Sequence, residues 1–410
     1  MPPAPQRNLL PLAVCALGFA QITAWGTSYY CLGVLAKPIA ADTGWSHSLV
    51  YFGFTVSLLV MGAVSAWAGR AIDRHGARAV MTAGTVIVSA GLYALSRVTS
   101  EGGYLAVWAL LGIGMRLCLY DAAFAALVQV VPSRGRLAIS YLTLFGAFAS
   151  TVFWVVGHYL NEAGGWRQTL ALFAAINLAV CLPLNWIGLA RREPADRPAA
   201  ATVAAGPAAD GPPLEGSRRV VAMALFALVM SLNGFVFGVV TVQLVPLLEA
   251  AGLAAAAAVW VASMKGFAQF GGRVVEIAFA RNLHAVTVAR IAIGALPVSF
   301  FLLFFSGGQL AAIVAFTLLM GASQGVITIV RGAVPLALFG PVGYGAMLGV
   351  LAAPVLVVNA AAPTLFALIV DQWGWPAGQA VLVAVSAASW GAIELMSRWY
   401  RRGLAEKRES

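Results

Sequence analysis

Three ionisable side chains lie where an apolar chain has least use for them. Arg116, Asp121 and Lys265 each sit inside a long hydrophobic run, where an ionised group costs at least about 2.5–3.5 kcal/mol on insertion scales and usually faces a partner or a wet cavity. Asp121 is the candidate for proton coupling, because a carboxylate exposed to each side in turn can take up a proton on one and release it on the other. Arg116 and Lys265 are candidates for holding an anionic or polar group, and Gln269 follows Lys265 one helical turn later on the same face. A continuous α-helix sets Arg116 and Asp121 about 140° apart, so they need not pair with each other and can find partners on other helices. The competing reading of all three is an internal ion pair that locks helices together.

Aromatic and polar residues form a second constellation: Gln21, Trp25, Thr27, Ser28, Tyr29 and Tyr30. Trp25 and Tyr29 are one turn apart, and Trp25 lies well inside its run rather than in an interfacial belt, so the two are candidates to wall a pocket or simply to pack. Tyr120, Asn233, Ser323, Gln324 and Asn359 also fall inside runs, where they line a cavity or hydrogen-bond between helices.

The elements that must position these residues follow from composition. Of 410 residues 61% are hydrophobic and 10% charged, and the mean hydropathy is +0.88. A water-soluble domain needs far more polar surface, so the chain reads as an all-α integral membrane protein. Twelve apolar runs are expected as transmembrane helices, at about 10–36, 48–68, 78–97, 104–131, 137–160 and 167–189, then 220–247, 255–279, 285–305, 309–331, 344–369 and 376–397. Residues 1–190 thus form an N-terminal six-helix bundle and 220–397 a C-terminal one. The Pro- and Ala-rich stretch 191–219 reads as a cytoplasmic linker and 398–410 as a cytoplasmic tail.

Charge placement agrees with an even number of crossings. Apart from Lys37, Arg97 and Arg167 outside, and Arg116 and Lys265 within spans, the other 20 of the 25 Lys and Arg fall on the side shared by the linker and both termini, which places that side in the cytoplasm. The net charge of +10 is spread singly through short loops, which excludes nucleic acid as a partner. The first run is longer than a signal-peptide core and lacks a clear cleavage site, so it is expected to remain as span 1.

Between spans 2 and 3 stands Gly69-Arg70-Ala71-Ile72-Asp73-Arg74-His75-Gly76-Ala77-Arg78, a tight turn whose Asp73 can pair with the arginines or sit at a helix N-terminus. The first five residues are echoed by Gly272-Arg273-Val274-Val275-Glu276. Gly165-Trp166 is echoed by Gly374-Trp375, and Gly112 and Gly114 by Gly321 and Gly325. Shared order and spacing point to two similar halves. The loop G-x-x-x-D-R-x-G-x-R resembles the signature between helices 2 and 3 of the major facilitator superfamily (MFS) of secondary transporters. The run from Gly112 through Tyr120 and Asp121, followed by Arg134-Gly135-Arg136, resembles a bacterial branch close to oxalate/formate and monocarboxylate porters.

That resemblance implies two pseudo-symmetric bundles, alternating access in a bacterial inner membrane with both termini cytoplasmic, and a monomer that moves a small molecule. It assigns conformational gating to Gly69, Asp73, Arg74, Gly76, Arg78, Arg273 and Glu276. The expected substrate is a small organic anion or polar metabolite, bound by Arg116, Lys265, Gln269, Trp25, Tyr29, Tyr120, Asn233 and Gln324. Alternatives on the same scaffold are uptake of a vitamin such as a flavin stacked on Trp25 and Tyr120, efflux of a drug or of a metalloid touching Cys118, and a transport-dead sensor. No enzyme activity, cofactor or metal site is expected. The four histidines lie at span ends or loops and the four cysteines show no paired spacing. With no G-x-x-x-x-G-K-[ST] loop in the sequence, ATP-driven pumping is not expected.

Overall fold

In hydrocarbon a backbone N–H or C=O has no water to turn to, so an apolar chain must satisfy these groups within helices. Every regular element among the described residues is helical. The computed structural model describes residues 9–193, 214–280 and 282–409, with side chains up to Arg401. Arg7, Arg197, Arg281, most of the expected linker and the side chains of Arg402, Lys407 and Arg408 lie outside the described residues.

The described chain forms two compact units. The first holds the residues up to Glu193 together with Pro341–Val350, and the second those from Leu214 to Gly340 and from Leu351 onward. In the first, α1 (Leu9–Ala24) passes through a π-helical turn, Trp25–Tyr29, into α2 (Leu32–Thr43). Then come α3 (His47–His75), α4 (Ala77–Arg97), α5 (Glu101–Cys118), α6 (Tyr120–Val130) and α7 (Gly135–Gly146). The unit continues with α8 (Ala149–Ile176), a π-helical turn at Asn177–Cys181 and α9 (Leu182–Gly188). The second unit contains α10 (Gly216–Ala250), α11 (Ala255–Val275), α12 (Ala285–Phe304) and α13 (Leu310–Phe339). The last helix, α14 (Tyr344–Glu409), starts among the residues grouped with the first unit and continues in the second.

Each unit packs its fourth span against its second and third: α5 lies on α3 and α4, and α13 on α11 and α12. Glycine permits the close approach. A Cβ on Gly112 would stand 2.5 Å from the Ser57 carbonyl oxygen of α3, and one on Gly321 would stand 2.9 Å from the Lys265 carbonyl oxygen of α11. Tyr104 fixes the first contact by donating to the Val50 carbonyl at 2.8 Å. In the second unit Val239, Leu247, Leu296, Phe300, Phe316 and Phe366 fill the core.

Nine helical runs among the described residues are long and apolar enough to cross a membrane, which is consistent with twelve crossings. The runs Pro132–Gly188 and Tyr344–Arg401 each contain a break, at Gly165 and Gly374. A further helix, α11, carries Lys265, Gln269 and Arg273 and is less apolar. Phe267, Phe279 and Trp260 are 81%, 80% and 77% exposed, surfaces suited to lipid and ill suited to water.

The two breaks share one geometry. Gly165 has φ 75° and ψ 172°, and Gly374 has φ 77° and ψ 172°, a region open in practice to glycine alone. The paired Gly-Trp sequences therefore mark one turn used twice. Gly165→Ala and Gly374→Ala should each lose about 1–3 kcal/mol of stability, read by thermal unfolding in detergent, whereas Gly391→Ala, at an open helical position, should not. Equal behaviour of all three would show that the breaks store no conformational requirement.

Candidate functional site

Span 4 is the most enclosed of the nine runs: its most apolar window is 94% buried, where no other exceeds 61%. It is also not one helix. Leu119 takes φ −83° and ψ −165°, so α5 ends at Cys118 and α6 begins at Tyr120. The break frees the Cys118 carbonyl, and Gln21 of α1 donates its Nε2 to it at 2.8 Å. Trp25 in turn donates Nε1 to Gln21 Oε1 at 3.0 Å, which joins the π-helical turn of span 1 to the break in span 4.

The break corrects one expectation. Arg116 and Asp121, 140° apart on an ideal helix, are ion-paired with each other, and both side chains are only 4% exposed. The reason is the extended residue between them, which cancels the helical phase. The ends are also electrostatically matched: Arg116 lies in the last turn of α5 and Asp121 in the first turn of α6, where a helix favours a cation and an anion respectively.

Around this pair the aromatic constellation closes up. The Trp25 ring centroid lies 4.6 Å from that of Tyr29, 5.9 Å from Tyr30 and 5.0 Å from Tyr120, while Tyr120 stacks on Phe124. Rings this close leave no slot for a third ring between Trp25 and Tyr120, so a planar ligand has only their outer faces to use. Thr27 meets Asn177, whose Nδ2 donates to its Oγ1 at 2.5 Å.

The second unit holds a separate group of the expected residues. Lys265 is half-buried in the middle of α11, its Nζ 5.6 Å from the Phe237 ring centroid, and no carboxylate among the described residues is bonded to it. Gln269, one turn on, donates to Gln324 Oε1 at 3.5 Å. Asn233 is held through its nitrogen, Nδ2 donating to Ser389 Oγ at 2.7 Å and to the Val229 carbonyl at 2.8 Å, while its Oδ1 accepts no hydrogen bond among the described residues.

The Gly69–Arg78 loop is compact. α3 ends at His75, Gly76 turns with φ 83° and ψ 144°, and α4 starts at Ala77. Gly69 lies against the Gly345 backbone. Asp73 accepts from Gly345 N at 3.0 Å and Ala346 N at 2.7 Å, so its carboxylate caps the first turn of α14, where N–H groups lack helical partners. A cleft of about 580 Å³ beside it is lined by Trp67, Arg70, Arg74 and His75. Arg78 turns away to donate Nε to the Trp186 carbonyl at 2.7 Å, with its guanidinium over that indole. In the second half Gly272 repeats the close approach, against Ala322, but the charges differ: Arg273 and Glu276 are buried, and Arg273 Nε donates to the Gly325 carbonyl at 3.3 Å.

Two polar contacts escape a reading of the sequence. Gln129 bonds both sides of the Gly76 turn, and its only sequence signal is a polar residue at the end of span 4. Arg290 makes a two-pronged pair with Glu394 at 2.6 and 2.8 Å, and nothing in the spacing joins those positions. For the buried pair, Arg116→Leu breaks the ion pair with Asp121 and should cost about 3–5 kcal/mol. Arg116→Leu/Asp121→Leu should recover most of that in thermal unfolding; equal losses in single and double variants would show the two charges to be uncoupled.

Residues 17–314 match the family pattern described as the Major Facilitator Superfamily. A multidrug resistance protein MdtL of Citrobacter koseri is 28% identical over 170 residues, covering 41% of this chain and 43% of that protein. The chain spans about half the length of the curated relatives it matches. The crystal structure of the human organic anion transporter MFSD10 superposes with a TM-score of 0.72 at 17% identity, covering 95% of this chain and 100% of that one. The proton:xylose symporter XylE superposes at 0.64 and 14% identity, covering 93% of each. With the loop, the twinned glycines and the helical architecture in place, the chain belongs to the Major Facilitator Superfamily of multi-pass membrane transporters.

Proposed function

We propose that the chain is a secondary transporter of a small organic anion in a bacterial inner membrane, working by alternating access with both termini in the cytoplasm. The observation that carries this reading is Lys265. Once Arg116 and Asp121 neutralise each other, the cation left inside a span without an ion-pair partner among the described residues is Lys265. A half-buried ammonium inside a span with no ion-pair partner is costly by itself and less so with an anion bound. Gln269 and Gln324 supply neighbouring amides for the polar part of such a substrate.

Asp121 serves as the proton site. A proton on its carboxylate removes the charge that holds Arg116, so protonation and the geometry of the Leu119 break change together. Asp73 serves as the gate: its bonds to Gly345 and Ala346 hold the start of α14 in one state and must part in another. A second reading, efflux of drugs, draws on the MdtL relatives and on the aromatic cluster around Trp25.

The test is counterflow of labelled small mono- and dicarboxylates in proteoliposomes. At least one should accumulate with the wild-type chain, and Lys265→Met should reduce its binding at least about tenfold, the equivalent of about 1.4 kcal/mol. Asp73→Asn should slow turnover with binding retained, because the carboxylate acts on a conformational step. Transport of cationic drugs but of no carboxylate would overturn the anion reading in favour of the second; wild-type turnover in Asp73→Asn would remove the gate.

A further inference from the structure

The half-helix α6 begins at the Arg116–Asp121 pair, and its other end carries a side chain that the transport reading leaves unused. Gln129 reaches the turn at Gly76. Its Oε1 accepts from Ala77 N at 3.0 Å and its Nε2 donates to the Ile72 carbonyl at 3.1 Å. Ala77 opens α4 and Ile72 lies in the last turn of α3, so a single amide ties the end of one helix to the start of the next. The job needs a donor and an acceptor on one planar group, which a glutamine has and neither a carboxylate nor an ammonium has.

Asp73 directly follows Ile72. The turn that Gln129 holds is therefore the turn that sets the Asp73 carboxylate beneath the Gly345 and Ala346 amides. The lower end of α6 is tied down further, since Glu193 N donates to the Val130 carbonyl at 2.9 Å and Ser133 Oγ donates to Glu193 Oε2 at 2.7 Å. From Asp121 to Gln129 the helix is unbroken, a rod of roughly 12 Å at about 1.5 Å per residue. Above it the backbone leaves helical geometry at Leu119, which supplies a joint.

We propose that Gln129 is a positioning residue through which α6 transmits the state of the Arg116–Asp121 pair to the Asp73 cap on α14. A change at the pair tilts the rod about Leu119, shifts the Gly76 turn, and loosens the cap. Its use in a transport cycle rests on the transport reading, but its test does not need flux. The measurement is amide hydrogen exchange of the full chain in lipid nanodiscs, followed at Gly345 and Ala346.

Gln129→Met, which keeps the side-chain length and removes both hydrogen bonds, should speed exchange there about tenfold. Added to Asp73→Asn, it should speed exchange no further, because it acts through that carboxylate. Asp121→Asn should speed the same amides about threefold in the otherwise wild-type chain and not at all beside Gln129→Met, a coupling that a merely stabilising residue would not show. Should Gln129→Met fail to fold, Gln129→Glu, which keeps the acceptor and loses the donor, carries the same comparisons. Unchanged exchange at Gly345 and Ala346 in a folded Gln129 variant overturns the proposal, as does an Asp121→Asn effect undiminished by Gln129→Met. A wild-type chain that moves no solute would sink the transport reading and leave the exchange result standing.

Discussion

The hydrogen bond from Gln21 to the Cys118 carbonyl is what permits span 4 to stop being a helix at Leu119. In the most enclosed of the nine described runs a bare buried carbonyl would cost free energy comparable to a lost hydrogen bond. With that carbonyl satisfied, one residue can turn extended, the helix phase is lost, and Arg116 and Asp121 meet. Trp25 fixes Gln21 in turn. The ion pair, the Trp25–Tyr120 contact and the separation of α6 from α5 all follow from this one backbone event.

The two halves repeat each other in backbone packing and diverge in charge. Gly112 and Gly321 carry the same close crossing of fourth span on second, Gly69 and Gly272 each lie against a backbone, and Gly165 and Gly374 share dihedral angles. These are steric requirements, and a duplicated scaffold retains them wherever helices must touch. The charged groups obey no such constraint. The first unit has a broken fourth span and an acid capping a helix start, whereas the second has a continuous α13, with Arg273 and Glu276 drawn inside. On the transport reading the halves divide the labour, proton and gate in one and anion in the other.

What the sequence makes legible follows the same division. Glycines are read well, since a missing side chain leaves a positional mark at Gly69, Gly76, Gly165 and Gly374 that needs no partner to interpret. Spans are read well because hydropathy is local. Spacing within an assumed continuous helix misplaces Arg116 relative to Asp121, because the break rests on Gln21, a residue far away in sequence. Gln129 and the Arg290–Glu394 pair are invisible for the same reason: each depends on a second helix whose register no local pattern states. Asn233 is a mixed case, a polar residue inside a span whose amide nitrogen meets Ser389 and Val229 while its Oδ1 accepts no hydrogen bond among the described residues.

The neutral amides and the charges inside the spans are doing different things. Gln21, Gln129, Asn177 and Asn233 bridge helices, donating or accepting without carrying a charge into a medium that penalises it. At these four positions a neutral amide makes the fixed bond. Arg116, Asp121 and Lys265 could have been amides too if holding helices together were their whole task, and a charge at each position is the more expensive choice. An ionised group has one property that an amide lacks: its interactions change sign or vanish with a proton or a counter-ion. On the transport reading these three charges stand where the state of the molecule must change, and Gln21, Asn177 and Asn233 stand where it must not.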